Sequence, residues 1–465
     1  MPDWYPFLSL AIGMSIVIGL IVGLRLNAFI ALITAAIAVS LMAPGELPEK
    51  ITRVAMAFGS TAGGIGIVIA LASVIGKCLM DSGAADRIVR AFLAILGEKR
   101  SSTALAGSGF ILSVPVFFDT VFYLLVPLAR SLYSRTNTHY LKYVMAISAG
   151  AIVAHTLVPP TPGPLLMADQ LGIDIGTMML VGAICGIPTV IVGLLFSGWI
   201  DKRMPIKMRP QIVSQQPDTK ADAASEKSIE ELPGLFVSLL IIVLPVLMIT
   251  SNTVVSYLAG RAGTKGGIQA LSEWTNLIGN PNIAMLASAT IALLVFVRQC
   301  QPGKAGLTVA MEEALMSGGL IILITSAGGA FGAMLKAAQI GPAIQDLFST
   351  GSQVGGFGLL FLGFGMASLL KFAQGSTTVA VITVSSMLAA MIGELELAYN
   401  PVYLAVAIGG GGLVGSWMND SAFWIVSKMS GLTEIEALKS WTVLLCILGC
   451  TAFIMSLVLS TILPL

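Results

Sequence analysis

One stretch of this sequence places four prolines within six residues, in the order Pro159-Pro160-Thr161-Pro162-Gly163-Pro164, and an apolar run of membrane-spanning length lies on either side. Proline lacks a backbone N–H and clashes with the preceding helical turn, so a continuous helix must break here. In hydrocarbon, a broken backbone is tolerated only inside protein or beside a polar cavity, because each unpaired amide group costs several kcal/mol. The stretch therefore predicts part of a binding site within a membrane.

The composition agrees with a membrane-embedded chain. Of the 465 residues, 56% are hydrophobic and 11% are charged, and the mean hydropathy is +0.91. These values exclude an ordinary soluble enzyme and predict a polytopic protein in contact with the lipid bilayer. The net charge of +1 offers no basic surface, so no nucleic-acid partner is expected. No basic region precedes the first apolar run, which predicts a first transmembrane helix instead of a cleaved signal.

The N-terminal half, residues 1–200, is expected to begin with two plain spans and a third span that opens with the glycine cluster 61–66. Residues 103–133 then form an apolar hairpin, interrupted by a loop that ends at Asp119. A carboxylate at membrane depth is costly, so Asp119 is expected to face a cavity, pair with another group, or bind protons or ions. The alternative is a structural role, in which it caps the second arm of the hairpin. A broken helix at 140–171 contains the proline stretch.

Residues 201–233 are polar and form the richest basic loop of the chain, which predicts a linker that the positive-inside rule places in the cytoplasm. The C-terminal half, residues 234–465, is expected to contain a second hairpin around 371–380. A second broken helix is expected around 402–428, where four consecutive glycines precede a polar segment.

The two halves follow the same plan at a nearly constant offset. A separation of 259 residues relates Pro115 to Gln374 and also Thr161 to Asp420. Interrupted helices repeated in this way are typical of secondary transporters, whose repeats meet at the bilayer midplane. The sequence therefore predicts an all-α polytopic membrane protein of two repeats, each with a re-entrant hairpin and a broken transmembrane helix. An inverted arrangement of the repeats is favoured.

The broken elements have the chemistry of an anion site. Half-helices that start near the midplane point free N–H groups and the positive ends of their dipoles into a cavity, which suits a carboxylate. Glycines permit close backbone approach, and nearby hydroxyl and amide groups can bind substrate hydroxyls. The expected substrate-binding residues are Phe118, Asp119, Thr161, Gly163, Gln374, Gly375, Ser376, Thr377, Asn419 and Ser421. No arginine offers an obvious clamp at membrane depth and Lys371 lies at the edge of its hairpin, which favours a small polyhydroxylated monoanion.

Three titratable residues are the expected sites of coupling to an ion gradient, namely Asp119, His155 and Asp420. His155 could relay protons near physiological pH, and a structural hydrogen bond to a backbone carbonyl is the alternative. Asp420 stands where a half-helix would begin, so an N-cap is its alternative role. No cofactor or metal is expected, only a proton gradient, with sodium as the other candidate ion.

These residues resemble the motifs of the gluconate:proton symporter family of bacterial permeases, and the match runs through most of the chain. The segments that carry the resemblance are Gly76-Lys77 with Ser82-Gly83, Pro115-Val116-Phe117-Phe118-Asp119, His155 with Val158-Pro159-Pro160-Thr161-Pro162-Gly163-Pro164, Ala373-Gln374-Gly375-Ser376, and Asn419-Asp420-Ser421 with Phe423-Trp424. The resemblance implies proton-coupled uptake of gluconate or a related sugar acid across a bacterial inner membrane. It also implies the inverted repeats and re-entrant hairpins of the ion-transporter superfamily, and often a homodimer.

One position departs from the family pattern. Well-known members often carry histidine between the prolines, where this chain has Thr161. The family also includes carriers for D-serine and other small hydroxy acids, so the resemblance implies a substrate class and leaves the individual acid open.

Two other functions compete with a proton symporter. A sodium-coupled carboxylate carrier or antiporter would hold its cation with Asn419, Asp420 and the carbonyls of the unwound segments. An intramembrane enzyme is the remote alternative. The sequence has no His-Glu-x-x-His pair and only two histidines, so the chain is not expected to be an enzyme.

Overall fold

A computed structural model describes most of the chain. The described ranges are 4–24, 26–97, 100–209, 229–262, 273–339, 357–392, 397–418 and 420–464. These ranges are helical and contain no strand. Residues 210–228 of the expected linker lie outside them.

The helices divide into two groups along the chain. The first group comprises α1 (Tyr5–Ile18), α2 (Ala28–Met42), α3 (Leu47–Asp81), α4 (Ala84–Leu96), α5 (Ser101–Leu112), α6 (Phe118–Thr136), α7 (Tyr140–Leu157), α8 (Pro162–Gln170) and α9 (Ile175–Arg203). The second group comprises α10 (Leu235–Ala262), α11 (Pro281–Cys300), α12 (Gly303–Ala337), α13 (Phe357–Gln374), α14 (Thr377–Ile392), α15 (Val402–Gly411), α16 (Ser421–Ser430), α17 (Glu434–Ala437) and α18 (Val443–Ile462). A π-helical turn, Leu438–Thr442, joins α17 to α18.

Within the described ranges, seven helical stretches are long and apolar enough to cross a membrane. They are Leu47–Asp81, Tyr140–Gln170, Ile175–Arg203, Leu235–Ser256, Pro281–Cys300, Gly303–Ala337 and Glu434–Ile462. The prediction of an all-α polytopic membrane protein is confirmed.

The prediction for the third span was wrong at its start. α3 begins at Leu47, so the glycine cluster 61–66 lies in its middle. The polar residues before the cluster continue the helix because Arg53 finds partners at the end of α2. Its Nε donates to Ser40 Oγ at 2.7 Å and its Nη1 to the Pro44 carbonyl at 2.7 Å.

Each interruption of the four broken elements has a local cause. Pro115 lies in the loop between α5 and α6, and Pro159 and Pro160 separate α7 from α8. Gly375 and Gly415 adopt left-handed backbone angles, with φ of +86° and +82°, at the breaks between α13 and α14 and between α15 and α16. Such angles strain residues that carry a Cβ, which accounts for glycine at both breaks.

The two repeats share a tight packing contact. In the first repeat, α7 lies so close to α5 that a Cβ on Gly150 would be 2.7 Å from the carbonyl carbon of Ala106. In the second repeat, α15 also lies close to α13, where a Cβ on Gly411 would be 3.0 Å from the carbonyl carbon of Phe364. Each first hairpin arm is therefore packed backbone to backbone against the first half of its own broken helix.

The repeats run in opposite directions. At one face, the hydroxyl of Tyr140, the first residue of α7, donates to the carbonyl of Ser430, the last residue of α16, at 2.9 Å. At the other face, Gln170, the last residue of α8, accepts from the hydroxyls of Ser385 at 2.9 Å and Ser386 at 2.8 Å, which lie in the second half of α14. The broken helices are therefore antiparallel and the hairpins enter from opposite faces, which confirms the inverted arrangement.

Candidate functional site

The hairpin loops and the breaks of the two long helices meet in the interior. A Cβ on Gly163, at the start of α8, would lie 3.2 Å from Val381 of α14. A Cβ on Gly412, at the end of α15, would lie 2.6 Å from Val381 and 3.3 Å from the Thr377 methyl group. Because neither glycine has a side chain, α8, α14 and α15 converge on one point.

A buried ion pair lies at this junction. The ammonium Nζ of Lys371, on α13, is 2.7 Å from Oδ2 of Asp420 and also donates to the Gly375 carbonyl at 2.6 Å. The two side chains are 1% and 6% exposed, respectively. Burial of a lone charge is costly, and the pair satisfies both charges inside the apolar interior. The charges also tie the second hairpin to the second broken helix.

Asp420 has two further side-chain hydrogen bonds that hold it in place. Its Oδ1 accepts from the backbone N–H of Ala422 at 3.0 Å, which makes it the N-cap of α16. Its Oδ2 also accepts a short hydrogen bond from the Ser416 hydroxyl. Ser416 in turn accepts from the indole Nε1 of Trp441 at 2.9 Å. The capping role that the sequence suggested for Asp420 is therefore present, together with an ion pair.

The first hairpin reaches the same region through Trp441. The Phe118 ring, at the start of α6, lies 5.4 Å from the Trp441 ring between centroids. Phe118 is 3% exposed, so it packs in the interior at this contact. Asp119 is the next residue of α6, and the contacts from Phe118 through Trp441 and Ser416 lead from it to Asp420. The structure therefore brings Asp119 and Asp420 together, from different repeats.

Several expected substrate-binding residues surround the pair. Ser376 and Thr377 at the start of α14 are partly exposed, Ser421 at the start of α16 is exposed, and Gly375 is buried beside Lys371. Asn419 and the side chain of Gln374 lie outside the described part of the structure. Substrate contact by these residues stays a prediction.

His155 lies on α7 and contacts the first hairpin. Its ring is 6.1 Å from the Phe117 ring in an edge-on arrangement, and its side chain is partly exposed. Its Nδ1 is buried and has no hydrogen-bond partner among the described residues. The backbone-carbonyl bond considered from the sequence is not made by this nitrogen. A role in proton transfer stays a prediction.

Thr161 is 2% exposed and bonds to the end of α7. Its hydroxyl lies 2.8 Å from the His155 carbonyl and 2.9 Å from the Val158 carbonyl, and donates to them. These carbonyls have lost their helical partners at the proline break, so the hydroxyl satisfies groups that would otherwise be unpaired. Its oxygen keeps lone pairs that can accept a bond from a substrate.

A cavity of about 350 Å³ lies at the far end of α8, away from the ion pair. Asp169, Asp174 and Asn252 are among its lining residues. Asp169 is exposed there, and Asp174 is the N-cap of α9. Asp169 therefore belongs to this outer cavity and not to the junction of the breaks.

Lys371 was not among the residues selected from the sequence, although it was noted at the edge of its hairpin. The structure places it inside, at the centre of the junction. The charge of Lys371 was the feature of the sequence that could have indicated this position. A lysine within an apolar run needs a nearby acid, and Asp420 is the acid in the second broken helix. The sequence placed these two residues in separate elements and gave no distance between them.

Comparisons with known proteins agree with this architecture. The family model for GntP family permeases matches residues 5–462. A gluconate permease of Pseudomonas aeruginosa is 31% identical over 99% of this chain and 99% of that protein. The inner membrane permease YgbN of Escherichia coli K12 is 30% identical over 96% of each chain. Among solved structures, MtrF of Neisseria gonorrhoeae, from a class of antimetabolite efflux pumps, has a TM-score of 0.65 at 14% identity and covers 91% of this chain and 93% of its own. This last similarity concerns the fold alone.

Proposed function

We propose that this chain, which belongs to the GntP permease family, takes up gluconate or a related sugar acid together with protons. Family membership makes it a multi-pass transporter of the bacterial inner membrane and not an enzyme. The relative from Pseudomonas aeruginosa is named a gluconate permease, and the expected substrate class is a small hydroxy monocarboxylate. The homodimer that the resemblance implies stays a prediction.

The buried Lys371–Asp420 pair is the observation that carries this proposal. It provides one cation at the junction of the breaks, beside the starts of α14 and α16. A cation and two helix N-termini favour an anion of low charge, and the hydroxyls of Ser376, Thr377 and Ser421 offer partners for a polyhydroxylated chain. A multiply charged substrate would need further cations at this depth.

The packing of the repeats supports transport by alternating access. α6 of the first hairpin packs against α16 of the second repeat, and α14 of the second hairpin packs against α8 of the first. Each hairpin is therefore attached to both broken helices, so the hairpins and broken helices can move as one body relative to α1, α2, α10 and α11. Such a movement would expose the junction to one face of the membrane at a time.

The experiment that tests the function is uptake of radiolabelled gluconate into proteoliposomes that contain the purified protein. An imposed inward proton gradient should drive accumulation, and a protonophore should abolish it. Competition by a panel of sugar acids, D-serine and dicarboxylates then identifies the substrate class. Uptake that follows a sodium gradient and ignores a collapsed pH gradient would establish the sodium-coupled carrier instead.

Asp119→Asn tests the coupling. The amide cannot exchange a proton at this position, so accumulation should be lost while gluconate counterflow, which needs no net proton movement, continues. Size-exclusion chromatography in detergent verifies the fold of the variant. Normal gradient-driven accumulation by Asp119→Asn would remove this residue from the coupling mechanism.

A further inference from the structure

In the structure described above, the only cation at the junction among the described residues is already neutralised. The Lys371 ammonium is held by Asp420 and by the Gly375 carbonyl, and its side chain is almost fully buried. An anionic substrate cannot use this cation while the Asp420 carboxylate occupies it. Substrate binding therefore requires a change in the partner of Lys371.

We propose that Lys371 binds the substrate carboxylate and that protonation of Asp420 releases it to do so; this inference rests on the proposed uptake of a carboxylate with protons. One proton binds to Oδ2 of Asp420, the ion pair with Lys371 breaks, and the substrate carboxylate takes the vacated position on Nζ. No covalent bond other than the new O–H bond forms or breaks, and the hydrogen bond between Ser416 and Oδ2 reverses its direction. Before the exchange the site holds one ammonium and one carboxylate, and afterwards it holds one ammonium, one neutral acid and one substrate carboxylate.

The charge of the site is therefore the same in both states. A low-dielectric interior strongly disfavours net charge. Both states of the exchange avoid the free-energy cost of adding a charge, whereas binding of the anion without a proton would add one. The exchange also makes the proton and the anion depend on each other. A proton without substrate leaves Lys371 unpaired, and substrate without a proton leaves two carboxylates competing for one ammonium.

The surroundings of Asp420 accommodate both of its protonation states. Its Oδ1 caps α16 through the Ala422 N–H, a bond that a protonated carboxyl group retains. Its Oδ2 faces the hydroxyl of Ser416, whose oxygen already accepts from Trp441 and has a second lone pair. A protonated Oδ2 can donate to that lone pair, so the acid keeps a partner after Lys371 leaves.

Two charged groups face Asp420 among the described residues. Lys371 lies against it from α13, and Asp119 lies in the first turn of α6, next to Phe118, which packs against Trp441. The π-helical turn contributes the neutral indole of Trp441, which bonds to Ser416. Asp119 is partly exposed, whereas the Asp420 side chain is 6% exposed.

Proton uptake on binding tests the exchange. Full-length purified protein in weakly buffered detergent solution is titrated with gluconate, and heat and pH-indicator absorbance are recorded together. The wild type should take up roughly one proton per bound gluconate. Asp420→Asn imitates the protonated acid, so it should still bind, take up no proton, and show an affinity that does not vary with pH. Lys371→Gln should weaken binding by roughly 10-fold to 100-fold, the loss expected for a charge-assisted hydrogen bond.

Lys77→Gln is the matched control. Lys77 also lies in an apolar helix and pairs with acids, Asp81 at 3.3 Å and Glu313 at 2.9 Å. These ion pairs join α3 to α12, whereas the Lys371 pair joins the second hairpin to the second broken helix. It should bind gluconate and take up protons as the wild type does. The double variant Lys371→Gln with Asp420→Asn contains no unpaired buried charge, so it should fold even where a single variant does not. It should bind gluconate roughly 10-fold to 100-fold more weakly than the wild type and take up no proton.

The outcomes separate this inference from the proposed function. Gluconate affinity in Lys371→Gln or in the double variant equal to that of the wild type overturns the role of Lys371. Proton uptake by Asp420→Asn equal to that of the wild type overturns the role of Asp420. In either case, proton-driven gluconate uptake by the wild type would still support the proposed function. A wild-type protein that neither binds nor carries any acid of the panel overturns both.

Discussion

The glycine contact that joins each hairpin to its broken helix can be tested by adding one methyl group. In Gly150→Ala the new Cβ would lie 2.7 Å from the Ala106 carbonyl carbon and closer still to its oxygen. An ordinary carbon–carbon contact is about 3.5–4.0 Å, so α5 and α7 must separate by about 1 Å. Both colliding atoms belong to helix backbones, which cannot rotate away as a flexible side chain could.

Three effects determine the size of the loss. Overpacking of a tight interface costs about 1–3 kcal/mol. The cost should lie at the upper end of this range, because the atom that clashes with the new Cβ belongs to the backbone. Separation of the two helices also loses dispersion contacts along the interface, about 0.1–0.2 kcal/mol for each atom pair. The higher helix propensity of alanine returns at most about 1 kcal/mol. The net expectation is that Gly150→Ala lowers the free energy of unfolding by about 2–3 kcal/mol, and Gly411→Ala in the other repeat by a similar amount.

Thermal unfolding of the purified protein in detergent, followed by tryptophan fluorescence, measures this loss. Gly365→Ala is the control, because Gly365 is an exposed glycine on α13 with open space where its Cβ would lie. Its unfolding temperature should equal or slightly exceed that of the wild type. The reasoning fails if Gly150→Ala and Gly411→Ala unfold at the same temperature as Gly365→Ala.

Three further predictions follow from single contacts. Thr161→Val leaves two carbonyls at the end of α7 without their partner, so thermal unfolding should show a loss of about 1–3 kcal/mol that Thr161→Ser does not show. Arg209 pairs with Glu436 through two bonds of 2.6 and 2.8 Å, but its side chain is 46% exposed. A double-mutant cycle should therefore give only about 0.2–1 kcal/mol, and less in high salt. In a cysteine-free background, Thr138→Cys and Ser251→Cys should react with a membrane-impermeant thiol reagent from opposite sides, cytoplasmic and external respectively, because they lie beside the two ends of α9. Labelling of both from the same side would contradict the crossing of the membrane by α9.

The positions of the breaks could be predicted from the sequence because their causes are local. Prolines at 159, 160, 162 and 164 remove donors wherever the surrounding helix lies, and glycine at 375 permits a left-handed turn without help from other elements. The repeat could also be recognised, since it preserves the order and spacing of these local signals.

The ion pair could not be predicted in the same way, because it depends on distance in space. Lys371 and Asp420 are separated by 49 positions and belong to different elements. A lysine near the end of an apolar run usually extends its ammonium to the membrane surface, which is why the sequence indicates an edge position. The Thr161 hydroxyl presents the same difficulty, since a threonine at a break can face a cavity or a carbonyl. The start of α3 depended on partners of Arg53 that lie on another helix.

The two repeats are alike in backbone and different in charge, and this difference sets what the junction can bind. Both repeats contribute a hairpin, a broken helix and a glycine contact between them. The second repeat carries Lys371 in its first hairpin arm and Asp420 at its helix break, whereas α5 contains no charged residue and Thr161 occupies the matching break. Two identical repeats would place two ammonium groups and two acids at the junction, a site for a dianion. With one pair, the junction can neutralise one carboxylate per proton, which agrees with a monocarboxylate substrate.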